Sequence, residues 1–175
     1  MGGAFSFVQK EIHMDHIWIL TEERPKVSVI LQIIDMYCTD FHDTITRRDN
    51  VKIKPMIDNG VFQFVYLVEG LRVAGAGNIY IKTVSGSSSF LDFLLFKQEK
   101  EPVSGAGDHL LMAIEETKTS DDESRNTGVY QRGAKFVYIE PYYRDVKLYM
   151  LYNEELEARE EKGPVTPVSL APIFC

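Results

Sequence analysis

The chain has 175 residues, 45% of them hydrophobic, which is enough to bury one substantial core and a normal size for a single domain. Its formal charge of −7 argues against a protein that coats nucleic acid through bulk electrostatics, because that mode of binding needs Lys and Arg to neutralise backbone phosphates. A nuclease is not excluded, since acidic ligands for bound cations add negative charge to the bare sequence.

No stretch reaches the roughly 18 apolar residues of a membrane-spanning helix, and Glu11 and Asp15 fall where a signal peptide would be apolar. The expectation is a soluble, cytoplasmic protein with no membrane partner. Cys38 and Cys175 have neither zinc-site spacing nor the density of a disulfide framework, and point to a reducing compartment.

From Pro25 to Phe41 the apolar residues Val27, Ile30, Leu31, Ile34, Tyr37, Cys38 and Phe41 recur at three- and four-residue steps, which predicts an amphipathic helix with Pro25 near its start. A polar, charged connector follows (HDTITRRDNVKIKP). Residues 61–69 and 78–84, rich in β-branched and aromatic side chains and separated by glycines, predict strands of a meander. Residues 90–97 (FLDFLLFK) and 110–119 (LLMAIEETKT) predict two more strands joined by a Pro/Gly-containing loop.

A short helix is expected in DDESRNTGVYQR, then a strand at KFVYIEPY, a further strand at 146–152 and a solvated helix at NEELEAREEK. The proline-bearing end, GPVTPVSLAPIFC, should be extended. Together these elements predict an α/β (α+β) fold, a mixed sheet flanked by helices, with one domain over residues 1–163 and a tail over 164–175.

Within this frame, Asp92 lies early on one predicted strand and Glu116 late on the next. Residues two apart on a strand share a face, so Glu116 and Lys118 project together and Thr117 points away. If the strand of Asp92 pairs alongside, two carboxylates converge beside an ammonium. Hard cations such as Mg²⁺ take oxygen ligands, commonly one or two carboxylates with water and substrate phosphate. A one-residue slip would bring Glu115 and Thr117 to that face instead; Glu116 is favoured because it keeps Lys118 on the same face.

The segment LDFLLFKQEKEPVSGAGDHLLMAIEETKT resembles the core of the PD-(D/E)xK nuclease superfamily, to which many type II restriction endonucleases belong. An acid heads one strand, and Glu-Thr-Lys follows on the next after a gap of 24 (116 − 92). Leu91 stands where the family name has proline. The resemblance implies a restriction-endonuclease-like core and a Mg²⁺-dependent endonuclease, with Mn²⁺ as a substitute and DNA favoured over RNA. Asp92 and Glu116 would bind the metal, the Thr117 carbonyl would add a ligand, and Lys118 would complete the catalytic set. It also implies a homodimer or a partner domain, because each such centre cuts one strand.

Members carry further groups near the metal, which nominates Glu69. They also carry a polar helix after the Glu-x-Lys strand, which nominates Arg125, Asn126, Gln131 and Arg132 as substrate contacts. The order His42, Glu69, Asp92, Glu116, Lys118 also resembles the cap-snatching RNA endonucleases of segmented negative-strand RNA viruses, where a helical histidine joins the acids. A third reading is a non-enzymatic interaction module on a nuclease-like fold. The aromatics Phe62, Phe64, Tyr66, Tyr138 and Tyr142 are expected in core or cross-strand pairs.

Overall fold

The computed structural model describes residues 14–84, 91–103, 108–117, 133–139, 143 and 145–152. Among these, seven strands and one α-helix follow in the order β1 (His16–Thr21), α1 (Val27–Phe41), β2 (Ile45–Asp58), β3 (Val61–Val73), β4 (Ile79–Thr83), β5 (Phe93–Gln98), β6 (Leu110–Thr117) and β7 (Lys147–Tyr152). A 3-10 helix, Ala134–Tyr138, lies between β6 and β7. The strands form one mixed sheet in the order β2-β3-β4-β1-β5-β6-β7, parallel at β1/β4 and β6/β7 and antiparallel elsewhere. The fold is therefore α+β.

β1 occupies the middle of this sheet although its sequence, HIWILT, shows no alternation of apolar and polar residues. A strand covered on both faces has no wet side to mark. Ile17 and Ile19 are fully buried toward α1, and Trp18 is buried in the opposite layer.

Helix α1 follows its predicted period. Val29, Ile30, Ile33, Ile34, Met36 and Tyr37 are buried against the sheet, and each such aliphatic side chain contributes roughly 1.5–3 kcal/mol relative to exposure. The helix stops at His42, which takes a left-handed conformation with φ 55°. There the Tyr37 hydroxyl donates to the Asp43 carboxylate, and Lys97 of β5 donates to the same group at 3.1 Å. This ties the C-terminal end of α1 to the far end of β5.

Two sequence expectations change. The connector expected across 42–55 is mostly strand β2. It is an edge strand that pairs only with β3, so its polar side chains face water while its backbone completes the ladder, and Ile53 is its one buried side chain. The strand expected at KFVYIEPY begins as the 3-10 helix, in which Phe136 and Ile139 are buried three residues apart while Val137 is 63% exposed. That is the spacing of a helical turn lying on a surface. Among the described residues, α1 covers one face of the sheet and the 3-10 helix lies on the other, where Phe136 and Ile139 join Trp18, Phe96, Leu110 and Met150. The elements expected at 121–132 and 153–175, and Tyr142, lie outside the described residues.

The β2–β3 hairpin carries irregularities that bend it, with a register shift between Arg48 and Lys52 opposite Gly70. Gly70 has φ +78°, and a Cβ there would stand 2.1 Å from the carbonyl oxygen of Asp49. Gly70→Ala should lower stability by about 2 kcal/mol or more through backbone strain and this clash, read as a reduced denaturant midpoint with an unchanged m-value. The Asp43 tether sets a second expectation. Burial raises the Asp43 pKa, but the hydrogen bonds from Tyr37 and Lys97 outweigh it and hold the carboxyl below its ordinary value. A depressed carboxyl adds stability above its unfolded pKa and loses it as pH falls through the folded one. Between about pH 5 and about pH 3, wild type should therefore lose more stability than Asp43→Asn, as followed by thermal melts.

Candidate active site at the head of the β5–β6 hairpin

Asp92 precedes β5 in a bend, one residue before the strand that was expected to include it. The bend has an identifiable anchor on each side. Leu91, 3% exposed, packs in the layer of the 3-10 helix, while Phe93, 4% exposed, packs beneath α1. Two residues apart on a straight strand would share a face, so the chain turns at Asp92 and holds it between the two hydrophobic layers.

Across the hairpin, Phe93 pairs with Ile114. The Asp92 carboxylate then accepts a hydrogen bond from the backbone N–H of Glu116, with Oδ2 at 2.6 Å from the nitrogen. A carboxylate acceptor makes this a short, charge-assisted bond. It ends the β5–β6 ladder with a side chain in place of a carbonyl, and brings two acids 24 positions apart (116 − 92) to one end of the sheet.

The two neighbouring glutamates go to opposite sides of β6. Met112 and Ile114 belong to the core beneath α1, so Glu116, two residues on, is on that face and is half-buried. Ala113 belongs to the opposite layer, and Glu115 follows it there with 1% exposure. One Glu115 oxygen accepts from Lys135 Nζ at 2.6 Å. The backbone N–H of Glu116 thus meets the Asp92 carboxylate, while the Glu115 carboxylate is engaged by Lys135 of the 3-10 helix. Thr117 is the last residue of β6, paired with Tyr152.

The other nominated residues stand elsewhere. Glu69 is on β3, separated from β5 by β4 and β1, a distance of roughly 14 Å at ordinary strand spacing. The register also puts it level with His16 and Gln98, at the end of the sheet away from Asp92. There it forms an exposed ion pair with Lys54 at 2.7 Å. Exposed His42 caps the end of α1 tethered to Lys97, four residues along β5 from Phe93, or roughly 13 Å. Neither joins the Asp92–Glu116 pair. Lys118, Arg125, Asn126, Gln131 and Arg132 lie outside the described residues. Phe62 makes edge contacts with Phe64 and Tyr66, as expected for strand aromatics, although Phe64 is 62% exposed.

Among the described residues no three His, Cys, Asp or Glu side chains stand together as a metal cage. A pair of carboxylates there would suit a hard cation that keeps water and phosphate among its ligands, and would not suit a closed, all-protein site. No helix among the described residues is long and apolar enough to cross a membrane.

No protein-family model, curated protein or solved structure matches the chain. The chemistry of the site has to be argued from its own residues.

Lys135 is the contact that sequence periodicity does not reach, because its segment reads as strand; the three-residue step from Phe136 to Ile139 is the signal for the turn that carries it. Removing the cation from beside a carboxylate of 1% exposure should cost about 2–3 kcal/mol in Lys135→Met. This is less than for a fully enclosed pair, because Lys135 is 37% exposed. Chemical denaturation would measure it.

Proposed function

We propose that the chain is a divalent-metal-dependent endonuclease that hydrolyses phosphodiester bonds, with DNA the favoured polymer and Mg²⁺ the favoured metal. The observation that carries this reading is the bond from the Glu116 amide to the Asp92 carboxylate at 2.6 Å, which gathers two distant acids at the head of one hairpin. The antiparallel β5–β6 pair followed by β7, parallel to β6, supplies a rigid scaffold beneath them.

In this reading Asp92 and Glu116 hold the metal, and the Thr117 carbonyl is a further ligand. The bound cation would lower the pKa of a water nucleophile and neutralise charge at the phosphate. Lys118, two positions beyond Glu116, is the residue to orient the attacking water and to offset negative charge as the phosphorus–oxygen bond breaks. The half-buried setting of Glu116 and the hydrophobic anchors either side of Asp92 keep both acids from swinging into solvent. Each centre cleaves one strand, so cutting a duplex calls for a homodimer or a partner domain.

The cap-snatching alternative would need His42 beside the acids, and His42 stands at the end of α1 tethered to Lys97, which favours the DNA reading. Against an interaction module, the discriminating property is catalysis itself. With Mg²⁺ or Mn²⁺, but not with EDTA, the protein should nick supercoiled plasmid. Asp92→Asn, Glu116→Gln and Lys118→Ala should each cut roughly 10²–10⁴-fold more slowly while remaining folded, and His42→Ala and Glu69→Gln should cut like wild type. If wild type cuts neither plasmid nor labelled single-stranded RNA with either metal, and calorimetry finds no metal binding, the nuclease reading of this chain fails.

A further inference from the structure

The β2–β3 hairpin extends past its neighbour as an arm. Only Val65–Leu67 of β3 pair with β4, so the strands around the turn at Asn59 and Gly60 have no third neighbour, and the outer edge of β2 pairs with nothing among the described residues. Of the seven large hydrophobic side chains that stand open to solvent among the described residues, four are gathered at this tip. They are Met56, Ile57, Val61 and Phe64, between 38% and 65% exposed. A cluster of this kind marks an interaction surface. Phe64 is held in an uncommon conformation for a bulky residue, with φ 58°, and its carbonyl accepts from the Thr83 hydroxyl at 3.2 Å.

A complementary surface lies on α1. A shallow groove of about 470 Å³ runs along the helix, lined by the apolar side chains of Leu31, Met36 and Tyr149 and by the carboxylates of Asp35 and Asp40. Arg48 engages Asp35 at 2.9 Å, but Oδ2 of Asp40 is shut off from solvent and accepts no hydrogen bond among the described residues. Asp40 also falls in the last turn of α1, which holds no basic residue, so the helix dipole adds to the demand for a cation there. An occupant of this groove has to bring apolar side chains and a positive charge.

The arm brings both. Lys52, four residues before Met56, is exposed and takes part in none of the ion pairs among the described residues. Residues 45–73 hold five basic side chains against three acidic ones in a chain of formal charge −7, so the arm meets the rest of another copy with opposite sign. The spacings agree as well. Lys52 to Ile57 is roughly 16 Å of strand, and Asp40 to Leu31 is roughly 14 Å of helix.

Arg48 lines the groove from the base of the arm, and Met56 comes eight residues later, roughly 26 Å along the strand. That length keeps a tip away from its own groove. Two copies with their arms antiparallel bring each tip to the groove of the other, an arrangement that closes with two-fold symmetry. We propose that the chain forms a homodimer in which the hairpin tip of each copy, led by Ile57 and Phe64, fills the α1 groove of the other, with Lys52 meeting Asp40. The proposal goes beyond the nuclease reading, which calls for a second centre without saying what joins the two.

Sedimentation of the full chain over a range of concentrations tests it. Wild type should associate to a dimer, and Ile57→Asp should sediment as a monomer with an unchanged circular dichroism spectrum. Lys52→Glu and Asp40→Lys should each weaken the dimer about tenfold, and the two together should recover most of that loss, because the reversed charges meet again. A monomeric wild type, a dimer that Ile57→Asp leaves intact, or two charge reversals that add without rescue overturns the proposal. So does an Ile57→Asp protein that loses binding to a DNA duplex with its oligomeric state unchanged, which assigns the arm to nucleic acid. A dimer disrupted as described that cuts no plasmid keeps this proposal and loses the nuclease reading; a monomeric wild type that nicks plasmid does the reverse.

Discussion

The central position of β1 is the constraint on which the remaining structure depends. Its residues Ile17–Thr21 pair in parallel with β4 on one side and His16–Thr21 pair antiparallel with β5 on the other, and among the described residues they link the two halves of the sheet. Ile17 and Ile19 form the floor on which α1 lies, and Trp18 anchors the opposite layer with Phe96. Because both faces are covered, this strand cannot slip by one residue without driving its isoleucines and its tryptophan into each other's layers. The level of Asp92 relative to β4 and β3 is inherited from that register.

The site is then a matter of where hydrophobic anchors stop. Leu91 and Phe93 enter different layers, so the chain must turn between them, and the residue at the turn is an acid whose carboxylate completes the hairpin ladder at the Glu116 amide. The same division sends Glu115 into the layer of the 3-10 helix, where Lys135 meets it. Arg47, Arg48 and Lys54 are paired with Asp49, Asp35 and Glu69 at exposed positions.

Helix α1 was legible because one wet face and one dry face produce a 3.6-residue period, and β3, β4, β6 and β7 were legible from their β-branched and aromatic content. β1 was not, because double burial erases alternation, and β2 was not, because an edge strand is held by its backbone with scarcely any buried side chains. KFVYI could belong to strand or turn, since a short apolar run carries no decisive period. The proximity of Asp92 and Glu116 followed from pairing adjacent strands. The preference for Glu116 over Glu115 came from keeping Lys118 on the same face, whereas the bend at Asp92 is created by tertiary packing that no local pattern shows. The distance of Glu69 and His42 from the pair likewise depends on β1 being inserted between β4 and β5, which no local pattern announces.

The hydrogen bond between the Glu116 amide and Asp92 spans the open end of a hairpin whose far end is the connection between Gln98 and Leu110. What keeps the acids together is the pairing of Phe93 with Ile114, and the contour length between them plays no part. Residues can therefore be added to or removed from that far connection without moving either carboxylate, whereas a single insertion in β6 between Met112 and Glu115 would exchange the faces of the two glutamates. Kinship among such chains would be recorded in register and not in spacing, and a search pattern that demands a fixed interval between the acids would pass over members that keep the same centre.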